Sequence, residues 1–292
     1  MIKQKIVATL VAALVVASCA TGVRPDLSGM SFSSKPLAGK IIWHDLISED
    51  MDSAKRFYSG LFDWTFTDSQ TPDGRTYAVA RSGDVYVAGI VAIAAPDDGA
   101  KYSRWLPYMS VEDVDETVET GLAAGATVAV SARNVSLGRV AAIIDPEGAV
   151  IGLADSAFGD PDDATTAPAP GRAVWAELLS NDTAAATKFY AALGGYDVST
   201  IDRRGGEYTL LSGAGANRAG ILRNPAENYD PVWLTYFGVS DPAAAAARAE
   251  ALGGRIILAA SPELRDGSMA VVTDPAGAIL VLQDWTRMGS VK

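Results

Sequence analysis

This sequence of 292 residues contains one cysteine, one histidine and no run of positive charge. A single cysteine excludes an intramolecular disulfide, because such a bond needs two thiols. Lysine and arginine total 24 against 35 aspartates and glutamates, and the basic residues form no stripe. With a net charge of −11, the folded part is a poor partner for nucleic acid or for an anionic membrane surface.

The apolar run near the start of the chain, residues 6–18, is too short to span a bilayer as a mature helix. It follows two lysines, Lys3 and Lys5, and it ends in small residues. Positive charge, then an apolar stretch, then small residues is the order of a secretory signal peptide. Residues 1–18 are therefore predicted to be such a signal.

The one cysteine, Cys19, stands directly after this segment, where it resembles the lipidated cysteine of the bacterial lipobox. The resemblance implies a lipid anchor as the only membrane contact. Ala20 in place of aspartate implies the outer membrane, with the protein facing the periplasm. Residues 19–37 are rich in glycine, serine and proline and predict a flexible tether.

One stretch of sequence occurs twice, 132 positions apart. Trp43 and Trp175 stand near the start of the two copies, and Tyr58 and Tyr190 near their ends. A spacing that stays constant through a strand-like and then a helix-like segment indicates a duplicated domain. The predicted domains are residues 38–157 and 171–287, joined by a linker at 158–170 that is rich in proline and aspartate.

Each repeat divides again into two units of strand, helix and three strands. The strands and helices of these units are predicted from the spacing of apolar residues and from turn residues. The predicted strands are 41–47, 76–81, 85–93, 105–111, 126–131, 138–144, 149–154, 233–239, 255–260, 268–273 and 278–283, and the predicted helices are 50–62, 113–124 and 241–252. The predicted class is α+β, with two tandem domains of paired βαβββ modules.

Several motifs in this order resemble the vicinal oxygen chelate superfamily, which includes glyoxalase I, extradiol dioxygenases and the bleomycin and fosfomycin resistance proteins. The resemblance rests on Asp50 with Phe57-Tyr58, on Asp182 with Phe189-Tyr190, and on the Asp-Pro-x-Gly turns at 145–148 and 274–277. It implies that each pair of modules forms a cupped mixed sheet. The helices would lie outside the cup, and the ligand or metal inside it.

The positions that carry metal ligands in that family hold other residues here. They are Trp43, Leu106 and Gly152 in the first domain and Trp175, Leu234 and Val281 in the second. None of these side chains is a ligand for zinc, iron or manganese. The sequence therefore predicts no metal and no cofactor, and it disfavours a metal-dependent lyase or dioxygenase.

The residues that share the inner face of each cup predict a site for a small organic ligand. These ligand-binding candidates are Trp43, Asp45 and Tyr108 in the first domain and Trp175, Glu177 and Tyr236 in the second. A buried carboxylate has a raised pKa and can act as a base, so Asp45 and Glu177 are also catalytic candidates. An alternative stays open, in which both acids bond to backbone or arginine and the tryptophans fill the cups.

The only histidine, His44, lies one position from a family ligand position and has Ala176 as its counterpart. Since neighbouring side chains of a strand face opposite sides, His44 is predicted to point into the helix layer as a structural residue. Three functions follow as hypotheses: a metal-free ligand-binding envelope lipoprotein first, then an enzyme of the same superfamily, then a structural envelope protein with closed cups. The oligomeric state is not predicted.

Overall fold

A computed structural model describes residues 27, 30–71, 74–95, 101–163, 169–203, 206–225 and 229–285. The predicted signal peptide and the lipidation site Cys19 lie outside these residues. Within the described ranges, no helix is both long and apolar enough to cross a membrane.

The first domain is built from two βαβββ modules in chain order. Its elements are β1 (Ile41–Ser48), α1 (Met51–Phe62), β2 (Thr65–Gln70), β3 (Thr76–Ser82), β4 (Val85–Ala92), β5 (Arg104–Ser110), α2 (Val114–Ala123), β6 (Thr127–Val135), β7 (Gly138–Ile144) and β8 (Val150–Ser156). The sequence placed all of these except β2, whose polar residues lack a clear period.

The second domain repeats the same order. Its elements are β9 (Ala173–Ser180), α3 (Thr183–Gly194), β10 (Asp197–Arg203), β11 (Gly206–Gly213), β12 (Ala216–Arg223), β13 (Val232–Val239), α4 (Pro242–Ala251), β14 (Arg255–Leu258), a 3₁₀ turn at Arg265–Gly267, β15 (Met269–Thr273) and β16 (Ile279–Asp284). The predicted α+β class with paired modules is confirmed.

An aspartate begins each of the four helices, because its carboxylate accepts a hydrogen bond from a backbone N–H that the first turn leaves unpaired. Asp50 accepts from the Ser53 N–H at 2.9 Å, and Asp182 accepts from the Ala185 N–H at 3.0 Å. Asp113 and Asp241 do the same for α2 and α4. The repeated aspartates of the sequence are thus helix caps.

Each domain forms one mixed sheet of eight strands, in the order β2-β3-β4-β1-β5-β8-β7-β6 and its counterpart β10-β11-β12-β9-β13-β16-β15-β14. The two modules join where β1 pairs antiparallel with β5, opposing Trp43 to Tyr108. In the second domain β9 and β13 oppose Trp175 to Tyr236 in the same way. These central strands carry the candidate residues on one face of each sheet.

The helices lie on the other face, outside the cups as predicted, and the two domains pack together through that side. Phe57 and Tyr58 of α1 share a buried cluster with Phe237 and other residues of the second domain. Residues of β5 and α2 share a second cluster with Phe189 and Tyr190 of α3. The core of the protein is therefore the layer between the two sheets.

Two series of side-chain hydrogen bonds cross this layer and connect the two domains. The Tyr190 hydroxyl donates to Asp145 at 2.9 Å and accepts from the indole of Trp233 at 3.0 Å. In the second series, the Trp105 indole donates to the Tyr58 hydroxyl at 3.0 Å, and that hydroxyl donates to Asp274 at 3.4 Å. The aspartates of the two Asp-Pro-x-Gly turns therefore hold the domains together.

The last part of the predicted tether at 19–37 contacts the segment at 160–161. Phe32 forms a β-bridge with Pro161, and the Ser33 N–H donates to the Asp160 carbonyl at 2.8 Å. Asp160 is buried and also accepts from the Leu37 N–H. A buried carboxylate needs such donors, and a compositional argument for flexibility does not foresee them.

Candidate functional site

The first cup contains a carboxylate that is completely buried. Asp45 lies on β1, between Trp43 and Ile47 on the inner face of the sheet, and has 0% exposure. Strand alternation turns His44 and Leu46 to the opposite, interdomain side. Tyr108, on the neighbouring strand β5, belongs to the same inner cluster as Trp43.

One oxygen of Asp45 is saturated with hydrogen bonds and the other has none. Oδ1 accepts from the Trp43 indole at 2.9 Å and from the Tyr77 hydroxyl at 2.8 Å. Oδ2 is buried and accepts no hydrogen bond from the described residues. A buried oxygen without a donor costs free energy, so this atom is the one that a bound group would satisfy.

Burial raises the pKa of Asp45 to about 6, while Trp43, Tyr77, Tyr108 and the positive charge of Arg133 hold that pKa lower than burial alone would. The pKa values of Tyr77 and Tyr108 are raised well above their usual range, first by burial and then by the Asp45 charge. Both phenols therefore stay protonated, and Tyr77 donates to Asp45. A carboxylate with a pKa near 6 can accept or return a proton close to neutral pH.

A glycine makes room for the contact between Tyr77 and Asp45. Gly89 of β4 pairs with Asp45 across the parallel strands. A Cβ on Gly89 would lie 1.9 Å from the Tyr77 hydroxyl and 2.2 Å from Asp45 Oδ1. In the second cup, a Cβ on Gly220 would meet the Tyr208 hydroxyl at the same 1.9 Å.

The second cup has the same set of residue types around Glu177, which has 0% exposure. The Tyr208 hydroxyl donates to Glu177 Oε1 at 2.8 Å, and the Tyr236 hydroxyl donates to Oε2. The Trp175 indole donates to the Tyr208 hydroxyl at 3.0 Å rather than to the carboxylate. Both carboxylate oxygens therefore accept from a phenol.

An arginine completes the second cup. Arg265 donates to both oxygens of Glu177, at 3.0 and 3.1 Å, and its guanidinium lies 5.7 Å from the centre of the Tyr236 ring. It comes from the 3₁₀ turn before β15, where Arg265 and Asp266 have φ of 50° and 56°. Burial lowers the pKa of Arg265, but the charges of Glu177 and Tyr236 raise it by more, so the group stays charged.

The structure brings the six predicted ligand-binding residues together as two groups of three, one in each cup. The sequence did not identify Tyr77, Tyr208 or Arg265. The two tyrosines occupy matching positions in β3 and β11, so a closer comparison of the repeats would have found them. The corresponding segment of the first repeat contains Arg133, whose charge lowers the pKa of Asp45. No sequence signal marks Arg265.

The metal that the family resemblance implies does not fit this donor set. Leu106 and Leu234 offer no ligand atom, and the ring of Tyr108 lies where a side chain at Gly152 would start, with its Cδ1 2.2 Å from that Cβ position. Across the described residues, no group of three or more histidines, cysteines, aspartates or glutamates lies close enough to hold a metal ion. His44 is buried beside Phe237 on the other face, and burial lowers its pKa to about 3.

Comparison with known proteins gives a consistent family. The model of the Glyoxalase/Bleomycin resistance protein/Dioxygenase superfamily matches residues 40–153 and 172–282. "Putative glyoxylase CFP32" of Mycobacterium tuberculosis is 33% identical over 81% of this chain and 91% of its own. "Anthracycline biosynthesis protein DauV" of a Streptomyces species is 29% identical over 82% of this chain and 91% of its own.

Solved structures share the fold at low sequence identity. The Mn(II)-bound glyoxalase from Novosphingobium aromaticivorans has a TM-score of 0.55 and 16% identity, over 85% of this chain and 83% of its own. The 2,3-dioxygenase LapB from Pseudomonas sp. KL28 has a TM-score of 0.55 and 14% identity, over 88% and 93%. At these identities the likeness concerns the fold alone.

Proposed function

Because the chain belongs to the Glyoxalase/Bleomycin resistance protein/Dioxygenase superfamily, we propose that it is a metal-independent small-molecule-binding protein whose ligand site is the first cup. The observation that carries this proposal is the state of Asp45. Its Oδ2 atom is buried in the cup beside Trp43, Tyr77 and Tyr108, and it accepts no hydrogen bond within the part of the chain that the structure describes. An apolar, aromatic surround with one unsatisfied polar atom is typical of sites that orient a small organic ligand.

The second cup serves as the internal comparison. Its acid, Glu177, bonds to Arg265 and to two tyrosines, so its hydrogen-bonding capacity is already used within the protein. This is the arrangement that the alternative of closed cups anticipates. The proposal is therefore one ligand site per chain, with the second cup contributing stability.

Binding measurements on matched variants test this assignment. Native mass spectrometry and equilibrium dialysis would screen a panel of small aromatic compounds and antibiotics against the wild type, Asp45→Asn and Glu177→Gln, with Trp175→Phe as a milder control for the second cup. We expect a ligand that binds the wild type and the second-cup variants but binds Asp45→Asn much more weakly. Absence of any ligand, or equal binding by Asp45→Asn, would contradict the proposal.

The proposal also places the protein in the bacterial cell envelope, anchored through lipidated Cys19. Support comes from the sequence order of charge, apolar run and cysteine, followed by a tether that reaches the fold near Phe32. Metabolic labelling with a palmitate analogue, compared between the wild type and Cys19→Ser, tests it. Label that persists in Cys19→Ser, or a wild type that fractionates away from the membrane, would contradict the anchor.

A second candidate function is metal-free catalysis with Asp45 as the base. The pKa of about 6 and the phenol of Tyr77 at 2.8 Å favour it, because a base works best when its pKa lies near the working pH. A ligand found in the screen would be incubated in D₂O. Deuterium that enters a carbon position with the wild type and not with Asp45→Asn supports catalysis, whereas an unchanged ligand supports binding alone.

A further inference from the structure

Arg265 reveals which kind of group fits between the carboxylate and the aromatic residues of a cup. Its guanidinium bonds to both oxygens of Glu177 and lies over the Tyr236 ring, with the Tyr208 hydroxyl on the same carboxylate. A planar cation that meets a carboxylate and an aromatic face gains from charge-assisted hydrogen bonds and from the negative face of the ring. The second cup thus contains its own bound organic cation, supplied by the chain.

The first cup has the corresponding acid, two tyrosines and tryptophan, but no cation of the described residues donates a hydrogen bond to the acid. Tyr77 corresponds to Tyr208 and Tyr108 to Tyr236, and the acids stand at matching positions of β1 and β9. Asp45 Oδ2 accepts no hydrogen bond from the described residues. The positive charge of Arg133 lowers the pKa of Asp45, but Arg133 does not donate to this oxygen. Among the described residues, none therefore donates to Asp45 as Arg265 donates to Glu177.

We infer that the first cup binds an organic cation, a protonated amine, amidinium or guanidinium on a small apolar or aromatic body, in the position that the Arg265 guanidinium has in the second cup. This inference rests on the proposed function and names the anchoring group of its ligand. The cation would donate to Asp45 Oδ2 while its body packs against Trp43 and Tyr108.

The carboxylate of Asp45 favours a cation over other ligand classes, and Arg133 offsets only part of its charge without donating to Oδ2. An anion would meet the buried carboxylate of Asp45, and like charges in a low dielectric repel strongly. A neutral ligand would leave that carboxylate without a counter-charge in contact. The net charge of −11 also favours the approach of cations.

Isothermal titration calorimetry with three related probes tests the inference on the full chain near neutral pH. Benzamidinium is a flat aromatic cation, benzamide is its neutral counterpart and benzoate is its anionic counterpart. We expect benzamidinium to bind the wild type with one equivalent and at least about tenfold more tightly than the other two, as expected for a contact worth more than about 1.4 kcal/mol. Asp45→Asn should lose that preference, and Trp175→Phe should keep it.

The Arg265→Ala variant provides a second test, because it removes the internal cation from Glu177. The variant should bind a second equivalent of benzamidinium, and Arg265→Lys should not. A second equivalent would support the inference independently of the Asp45→Asn result, and continued one-to-one binding by a folded Arg265→Ala would overturn it.

The outcomes also separate this inference from the proposed function. Benzamide or benzoate binding as tightly as benzamidinium, with loss on Trp43→Phe, would overturn the cation assignment while leaving the first cup as a ligand site. Failure of all three probes to bind, together with an empty broad screen, would overturn both.

Discussion

The guanidinium of Arg265 donates to both oxygens of Glu177, at 3.0 and 3.1 Å, whereas in the first cup one oxygen of Asp45 accepts from none of the described residues. The two copies of the fold thus share an acidic residue, a tryptophan and two tyrosines at matching positions, but they differ in how the acid is satisfied. This difference between Asp45 and Glu177 should affect the free energy of unfolding of the protein.

Removing the internal cation should destabilise the protein. In Arg265→Ala, Glu177 would keep its buried charge and lose its counter-charge, which typically costs about 3 kcal/mol or more. Because the Arg265 side chain is 26% exposed, we expect a value at the lower end of that range. Urea unfolding measures it, and Arg265→Lys, which keeps the charge, should recover part of the loss. An Arg265→Ala variant as stable as the wild type would show that Glu177 does not need this arginine.

Gly89→Ala should disturb the first cup, because the new Cβ would lie 1.9 Å from the Tyr77 hydroxyl and 2.2 Å from Asp45 Oδ1. We expect the Tyr77 contact with Asp45 to break, with a loss of about 2 kcal/mol in the free energy of unfolding. Gly206→Ala is the matched control, since a Cβ at Gly206 meets no atom within 4 Å. Equal melting temperatures for the two variants would contradict this close packing.

The interdomain hydrogen bonds should be unequal in strength. Tyr190→Phe removes a 2.9 Å bond to buried Asp145 and the acceptor of the Trp233 indole, so a loss of about 2 kcal/mol is expected. Tyr58→Phe removes a longer bond of 3.4 Å to Asp274 and should cost less. Equilibrium unfolding of both variants provides the comparison, and a larger cost for Tyr58→Phe would contradict it.

His44 should make the protein less stable in mild acid. Burial lowers its pKa in the folded state to about 3, whereas the unfolded value is near 6.5. The stability that comes with the neutral form is therefore present above pH 6.5 and is lost as the pH falls towards 3. At pH 4.5 this amounts to about 2–3 kcal/mol.

His44→Gln removes this titration, so its unfolding free energy should change less than that of the wild type between pH 7.5 and 4.5. Asp45 and Asp274 act in the opposite direction, because their raised pKa values of about 6 make protonation favour the folded state. Comparing each variant with the wild type at both pH values separates the contributions. Parallel pH profiles for the wild type and His44→Gln would contradict a buried neutral histidine.

The sequence predicted the fold well because the duplication repeats every signal that specifies it. Helix caps such as Asp50 and Asp182, and the turns at Asp145 and Asp274, recur at fixed spacing, so each copy supports the reading of the other. The strand β2 was missed because its residues are mostly exposed and polar, and it is an edge strand without an apolar period.

The two sites could be predicted only in part. Strand alternation is local, and it placed Trp43 and Asp45 on one face and His44 on the other. Arg265 depends on the geometry of one turn, in a segment that spans 21 positions from Gly253 to Asp274 against 20 in the first repeat. The sequence pattern does not predict that the longer turn brings Arg265 onto Glu177, because these two residues are far apart in the chain.

The difference between the two acids is tested most directly by the free energies of unfolding of Asp45→Asn and Glu177→Gln at pH 8. Above its pKa of about 6, Asp45 is a buried charge to which no cation of the described residues donates, so its replacement by the isosteric amide should stabilise the protein by about 2 kcal/mol. Glu177→Gln leaves Arg265 without its counter-charge and should destabilise it by about 3 kcal/mol. Opposite signs are the predicted result, and a loss of stability in both variants would contradict an unsatisfied acid in the first cup.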